Sequence, residues 1–400
     1  MGARDDALTS IEICAGAGGQ AIGLHQAGFK HLALVEIDQY AAATLRRNIA
    51  RREGWEFERD FCDVIEGDVN DFKPMVQLEK PVKFLDGRQL RPKELDLLAG
   101  GVPCPPFSHA GKQLGKDDER DLFPQMLHLV DELLPRAVMI ENVRGIKDEK
   151  FSEYREWVQA RLEGGMATDP VTGVRQMYDG AGYKVCGWRV LEASNYGVPQ
   201  LRPRAILVAI RADVLNGQTF EWPVPNAKVT TVGEALEDTM EKRYRPFIDA
   251  GGELGDQARK ALEKWRGEAN GIAPTLVGGS KKHGGADLGP SRAKAAWAKL
   301  GVNALGVANS PEDVTAKNSA DRDLFRNGPM LTVTQAAIIQ GFPPEWDFVG
   351  DPSEGKRLPG KTAQYRQVGN AFPPPVARVV GTAIAKVLRG ARPGAEPATD

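Results

Sequence analysis

SIEICAGAGGQAIGLHQAGF, residues 10–29, decides the fold. It opens as a short apolar strand, breaks at a run of glycines, and resumes with apolar residues at helical spacing. Gly16, Gly18 and Ala21 fit the G-x-G-x-x-G/A pattern of a strand–loop–helix turn that lets backbone approach a ligand closely. Glu36 closes the next strand, HLALVEID, at the distance where a carboxylate can take ribose hydroxyls. Such a loop also serves plain helix–strand packing, and nicotinamide enzymes share it with other adenosyl-binding folds. Asp68, in IEGDV, ends a third strand and can accept a bond from an adenine amino group. Two acidic strand ends favour an adenosine-containing cofactor over a phosphate-dominated one.

The pattern repeats outward. QYAAATLRRNI and LFPQMLHLVDELL read as helices, and DVIEGDV, LDLLAGG, AVMIENV and RAILVAIRAD as strands. Strands alternating with helices imply an α/β protein with a mostly parallel sheet and helices on both faces. From about residue 215 the segments become loop-rich and charged, as in VGGSKKHGGADLGPSRAK and ANSPEDVTAKNSADRD. Periodicity returns from about residue 331 in LTVTQAAIIQGF and PPPVARVVGTAIAKVL, and GARPGAEPATD has the composition of a disordered tail.

Composition bounds the setting. A chain of 400 residues can hold two or three domains. Its four cysteines, Cys14, Cys62, Cys104 and Cys186, are too scattered for a disulfide framework or a zinc site. A reducing, cytoplasmic compartment fits. MGARDDALTS has no apolar signal region, and no later run is long enough to span a membrane. The net charge of -2 argues against a uniformly basic nucleic-acid binder, while leaving room for one basic face.

Three further stretches carry chemistry. In DLLAGGVPCPPFS, Pro103, Pro105 and Pro106 forbid regular structure around Cys104, so the thiol is displayed on a stiff loop after a strand. The bland alternative is a turn with an incidental thiol. In MIENVRG, Glu141 follows a strand; burial beside a substrate ring would raise its pKa and make it a proton donor. A helix cap or a solvated pair is the competing reading of Glu141 and Asn142. In NYGVPQLRPRAILV, Gln200, Arg202 and Arg204 alternate, which aims them at one face. Two arginines there can hold a phosphate or a carbonyl oxygen, or simply charge an edge strand.

In their order along the chain these motifs resemble those of the DNA cytosine C5-methyltransferases. EICAGAGGQAIGLHQAGF is similar to that family's cofactor motif, GGVPCPPFS to its Pro-Cys motif, and MIENVRG to its Glu-Asn-Val motif. NYGVPQLRPRAILVAI is similar to its Gln-x-Arg-x-Arg motif, and LTVTQAAIIQGFP and QVGNAFPPPVA to its last two. Cys14 stands where the family most often has phenylalanine, Pro105 replaces a frequent glutamine, and the stretch from APTLVGG to LTVTQ is longer than is common.

The resemblance implies an S-adenosylmethionine-dependent, Rossmann-like fold that needs no metal. It implies a catalytic and cofactor domain at 1–215 and a smaller target-recognition domain at 216–330. Residues 331–389 would return to the catalytic domain, ahead of a tail at 390–400. Cys104 would attack carbon 6 of a flipped cytosine, Glu141 would serve its N3 edge, Arg204 its carbonyl or a phosphate, and Arg202 the cysteine loop. Ala15, Gly16, Gly18, Gly19, Glu36, Asp68, Pro103 and Asn370 would hold the cofactor. Ser108, Lys112, Thr275, Lys281, Lys282 and Arg292 would contact double-stranded DNA, with Lys294, Arg322 and Arg326 as further candidates. The implied enzyme is a monomer in the bacterial cytoplasm, with room for a restriction endonuclease that acts separately. A nicotinamide oxidoreductase would share only the glycine loop and Glu36. An RNA C5-methyltransferase and a catalytically silent DNA-binding protein are the nearer rivals.

Overall fold

The computed structural model describes residues 7–103, 121–226, 228–278, 287–308, 328–350 and 361–391. The strands are β1 (Leu8–Ile13), β2 (Phe29–Glu36), β3 (Asp63–Glu66), β4 (Leu97–Gly100), β5 (Ala137–Val143), β6 (Gly165–Thr168), β7 (Arg175–Tyr178), β8 (Tyr183–Glu192) and β9 (Pro203–Arg211). Seven of them form one sheet in the order β3-β2-β1-β4-β5-β9-β8. The first five are parallel, as the βα alternation predicts, and β9 and β8 add antiparallel at one edge. Strand β8 and the separate β6–β7 hairpin were not read from the sequence. In β8, exposed and half-buried residues hide the alternation that marks a strand.

The longer helices are α1 (Gly19–Gln26), α2 (Gln39–Arg51), α3 (Phe123–Leu133), α4 (Ser152–Glu163), α5 (Val232–Ala250), α6 (Gly252–Glu268), α7 (Ser291–Ala298), α8 (Val333–Gln340), α9 (Lys361–Asn370) and α10 (Pro374–Gly390). Helices α3 and α4 cover one sheet face through Phe123, Leu127 and Trp157 on Ile13, Leu98 and Val138. Helices α1 and α10 cover the other. Their contact is unusually close: a Cβ on Gly23 would lie 2.4 Å from the Pro374 carbonyl oxygen. Any side chain there must push the C-terminal helix off the sheet.

The stretch after residue 215 is more helical than its composition suggests. Helix α5 starts in a capping box, Thr231 with Glu234, and Gly251, at φ 69°, turns the chain into α6. Leu236, Tyr244 and Trp265 of this pair share a core with Ala17 and Leu45 of the first segment and with Ala337 and Ile339 of α8. Buried Arg243 joins α5 to α8, donating to the Met330 carbonyl at 2.7 Å and to Gln335 Oε1 at 3.1 Å. No helix of the described residues is long and apolar enough to cross a membrane.

Candidate active site

Strand order reverses between β1 and β4, and ligands of open α/β sheets collect at the carboxyl ends beside such a reversal. A cavity of about 460 Å³ lies there. Its walls are the end of β1 (Glu12, Cys14), the glycine loop (Ala15, Gly16, Ala17, Gly19), the end of β2 (Glu36 to Asp38) and Gly67 to Val69. Gly101 and Pro103 after β4, Glu141 of β5, and Arg366, Gln367 and Asn370 of α9 complete it.

Seven of the eight predicted cofactor residues line this cavity: Ala15, Gly16, Gly19, Glu36, Asp68, Pro103 and Asn370. Gly18 does not. At φ 96° it precedes α1, and a Cβ there would lie 2.8 Å from Leu45 and 2.9 Å from Trp346. Its role is close packing behind the loop. Trp346 fixes that packing by donating its indole N–H to the Ala17 carbonyl at 2.9 Å.

Glu36 is tied to the loop it faces. It accepts the Gly16 N–H at 2.7 Å and the Asp38 N–H at 2.8 Å. Burial raises its pKa, and those two N–H groups act against the rise. Asp68 accepts the Asn70 N–H at 2.9 Å, which orients the turn after β3 toward the cavity. Cys14 takes a left-handed backbone, φ 52°, and burial with the nearby carboxylates pushes its thiol up to about 12. That thiol stays protonated and serves as wall.

The opposite rim holds Glu141 and Arg204. Arg204 lies opposite Val143 in the β5–β9 register, two residues from Glu141, so both side chains share a face. Arg204 Nε meets Glu141 Oε1 at 2.8 Å. Burial raises the Glu141 pKa, while Arg204 and then Arg202 lower it. A Cβ on Gly101 would sit 3.0 Å from Glu141 Oε2, so a glycine lets the β4 loop pass the carboxylate. Asn142 donates to the Val102 carbonyl at 2.7 Å, two residues before Cys104. The sequence signal for Asn142 was its place beside Glu141; its partner needed the fold.

The expected contact of Arg202 with the cysteine loop falls on residues 104–120, outside the described residues. Arg202 is buried, and burial, then Arg204, lower its pKa to about 9. Its guanidinium donates to the carbonyls of Leu276 (2.7 Å), Gly369 (2.7 Å) and Ala371 (2.9 Å). It therefore joins the sheet to the segment between α6 and α7 and to the end of α9. Thr275 donates its hydroxyl to the Leu201 carbonyl at 2.5 Å, which sets the Thr275–Leu276 pair against the arginine motif. Arg292 is exposed on α7, and Lys294 is paired with Asp287 at 2.7 Å. Cys104, Ser108, Lys112, Lys281, Lys282, Arg322 and Arg326 lie outside the described residues.

Sequence reasoning missed Glu12, Gln20 and Arg366 as cavity residues. Glu12 is concealed in an apolar strand, Gln20 in an apolar helix, and Arg366 sits just ahead of the motif that was read. Among the described residues no group of His, Cys, Asp and Glu is arranged to hold a metal ion.

A doubly wound α/β enzyme that takes an adenosyl cofactor at its switch point is what this geometry defines. Comparison with known proteins supplies the kind. The model of the C-5 cytosine-specific DNA methylase family matches residues 8–386, and the chain belongs to that family. It is 46% identical over 394 residues to the Type II methyltransferase M.NaeI of Lentzea aerocolonigenes, covering 98% of this chain and 78% of that protein. It is 41% identical over 386 residues to M.NgoMIV of Neisseria gonorrhoeae, covering 96% and 98%. Among solved structures, a prophage-encoded DNA modification methyltransferase of E. coli has the same fold, with TM-score 0.53, 20% identity and coverage of 96% and 99%. The Entamoeba histolytica methyltransferase EhMeth also shares it, with TM-score 0.53, 14% identity and coverage of 94% and 98%. The chain is a DNA (cytosine-5-)-methyltransferase, which moves a methyl group from S-adenosylmethionine to carbon 5 of cytosine in DNA.

The cavity suits that cofactor. Sulfonium and ammonium groups call for acidic walls; Asp38 and Asp68 line it together with Glu12, Glu36 and Glu141, whose pKa values burial raises. Glu12 is buried with both carboxylate oxygens unpartnered among the described residues, which is costly unless a donor meets them.

Proposed function

We propose that Cys104 is the nucleophile, that Glu141 and Arg204 hold the target base, and that residues 216–330 select the DNA sequence. The supporting observation is the Glu141–Arg204 pair at the rim of the cofactor cavity, one loop from Pro103. Carbon 5 of cytosine is a weak nucleophile. Thiolate addition at carbon 6 makes an enamine whose carbon 5 can attack. Glu141, raised by burial, holds a proton at the ring N3 and accepts from the exocyclic amine. Arg204 donates to the base carbonyl and steadies the Glu141 carboxyl. S-adenosylmethionine, when bound, supplies the methyl group on a sulfonium leaving group. Loss of the carbon 5 proton and elimination of Cys104 then release 5-methylcytosine. The base reaches these groups by leaving the duplex, at a cost of a few kcal/mol that protein contacts must offset.

The reading is of a monomer, since one chain carries the cavity and the rim pair. The names of the relatives favour a restriction-modification setting with a separate endonuclease. Direct methylation of an unmethylated duplex library, with 5-methylcytosine mapped after conversion sequencing, tests the reading. Modification at one short motif is expected, and its absence with wild-type protein would reject it.

Two predictions arise here. Glu36→Ala weakens S-adenosylmethionine by about 1–3 kcal/mol, the scale of a lost charge-assisted hydrogen bond. The loss includes the freed Gly16 N–H. Calorimetric titration checks it, and unchanged affinity removes Glu36 from the site. Replacing residues 225–328 by the region from a family member of different specificity changes the methylated motif and leaves cofactor affinity unchanged. If a folded chimaera keeps its original motif, selection lies elsewhere.

A further inference from the structure

The cavity walls are strongly acidic, yet an amino-acid-bearing cofactor also brings a carboxylate. Arg366 is the one lysine, arginine or histidine among the described residues that line the cavity. It makes no hydrogen bond or ion pair with any described residue. Its position follows from α9, one turn before Asn370 on the same helix. Its stem passes Gly278, where a Cβ would lie 3.5 Å from Arg366 Cγ. The glycine is required by Asn370 of the same helix, whose Oδ1 would lie 2.3 Å from that Cβ.

Two other features converge on the same end of the cavity. Helix α1 begins at Gly18 with no side-chain cap, and anions are stabilised at such a terminus. Its first residues abut the chain that follows α9, because a Cβ on Gly19 would meet the Phe372 carbonyl oxygen at 2.2 Å. Gln20 lines the cavity from this terminus, is 4% exposed, and has neither amide atom partnered among the described residues. A buried amide without partners is costly, so an acceptor for Gln20 Nε2 is missing from the protein side.

We infer that Arg366, Gln20 and the amino-terminal turn of α1 form an anion subsite that takes the carboxylate of the cofactor's amino-acid end. The acidic wall, with Glu12, Glu36 and Asp68, receives the rest of the molecule. Arg366 is thus the residue that distinguishes a complete amino-acid cofactor from one lacking the carboxylate. The inference rests on S-adenosylmethionine occupying this cavity.

Calorimetric titration of the full chain with S-adenosylmethionine and with decarboxylated S-adenosylmethionine tests it. In Arg366→Gln, affinity for the complete cofactor falls about tenfold, while affinity for the decarboxylated form changes less than twofold. Arg366→Lys restores part of the loss, because the charge remains. An equal loss for both ligands overturns the inference, since the arginine then acts on the fold and not on the carboxylate. Unchanged cofactor affinity, with a DNA-binding salt slope lower by about one, overturns it in favour of a phosphate contact. If the wild-type chain binds the cofactor but Glu36→Ala and Arg366→Gln both leave that binding intact, the cavity reading itself fails.

Discussion

Duplex DNA carrying 5-fluorocytosine at the target becomes covalently joined to Cys104 when S-adenosylmethionine is present, and the complex survives denaturation. Fluorine at carbon 5 cannot leave as a proton does, so elimination of the thiol stalls after methyl transfer. Cys104→Ser abolishes the adduct and lowers turnover by roughly 10⁴-fold or more, because a serine hydroxyl is barely ionised near neutral pH. The other three thiols are poor nucleophiles where they stand. Burial raises the thiols of Cys14, Cys62 and Cys186 above the ordinary cysteine value. Pro103, the residue before Cys104 in the chain, lines the cofactor cavity with Glu141, and Glu141 is paired with Arg204. Glu141→Gln slows the adduct without removing the nucleophile, since the amide keeps the shape and loses the titratable proton. Each of Cys14, Cys62 and Cys186 is dispensable for trapping. Denaturing gel electrophoresis of each variant with fluorinated duplex checks all of this. An adduct on Cys104→Ser, or its loss with one of the other cysteines, rejects the assignment.

The sheet was legible because its signals are local. A buried parallel strand announces itself as an apolar run, and the glycine loop after β1 needs only adjacent residues. Glu36, Asp68 and Glu141 could be read because each follows such a run, and strand ends are where sites form. What escaped depends on contacts between distant segments. Gly18 reads as a ligand-facing glycine, and only the fold shows that an added side chain there would meet Trp346, more than 300 residues on. The alternation of Arg202 and Arg204 predicts one shared face, but the strand begins at Pro203, so Arg202 lies outside the pleat that orients Arg204. Helices α5 and α6 escaped because charged side chains cover their outer faces while Leu236, Tyr244 and Trp265 reach a core shared with other segments. The family resemblance ordered the motifs; it could not say which of their side chains turn inward.

Arg202→Met destabilises the protein by about 2–5 kcal/mol, the scale of leaving buried carbonyls without a donor at about 1–3 kcal/mol each. The carbonyls of Leu276 and Gly369 lose their shared donor, while that of Ala371 keeps Gln340 Nε2 at 2.5 Å. Gly369 has no slack to find another, because its Cα lies against Gly278, where an added Cβ would come within 2.6 Å of backbone. The second link at this junction is weaker. Gln200 donates to Gln340 Oε1 at 2.6 Å and accepts the Leu276 N–H at 2.7 Å, and Gln340 Nε2 donates on to the Ala371 carbonyl at 2.5 Å, but none of these reaches Gly369. Arg202→Lys recovers little, since one ammonium cannot span carbonyls that a planar guanidinium reaches from two nitrogens. Asn370 follows Gly369 directly and lines the cofactor cavity, so cofactor affinity falls together with stability. Arg204→Lys sets the contrast. Its guanidinium contacts Glu141 and the adjacent Pro203 carbonyl, and its loss lowers turnover while the unfolding midpoint stays near that of the parent. Denaturant unfolding followed by fluorescence, with cofactor titration on the same samples, separates the two arginines. Equal midpoints for Arg202→Met and the parent would mean that the Gln200 and Thr275 links and α5–α8 packing hold the recognition and C-terminal segments to the sheet without the arginine.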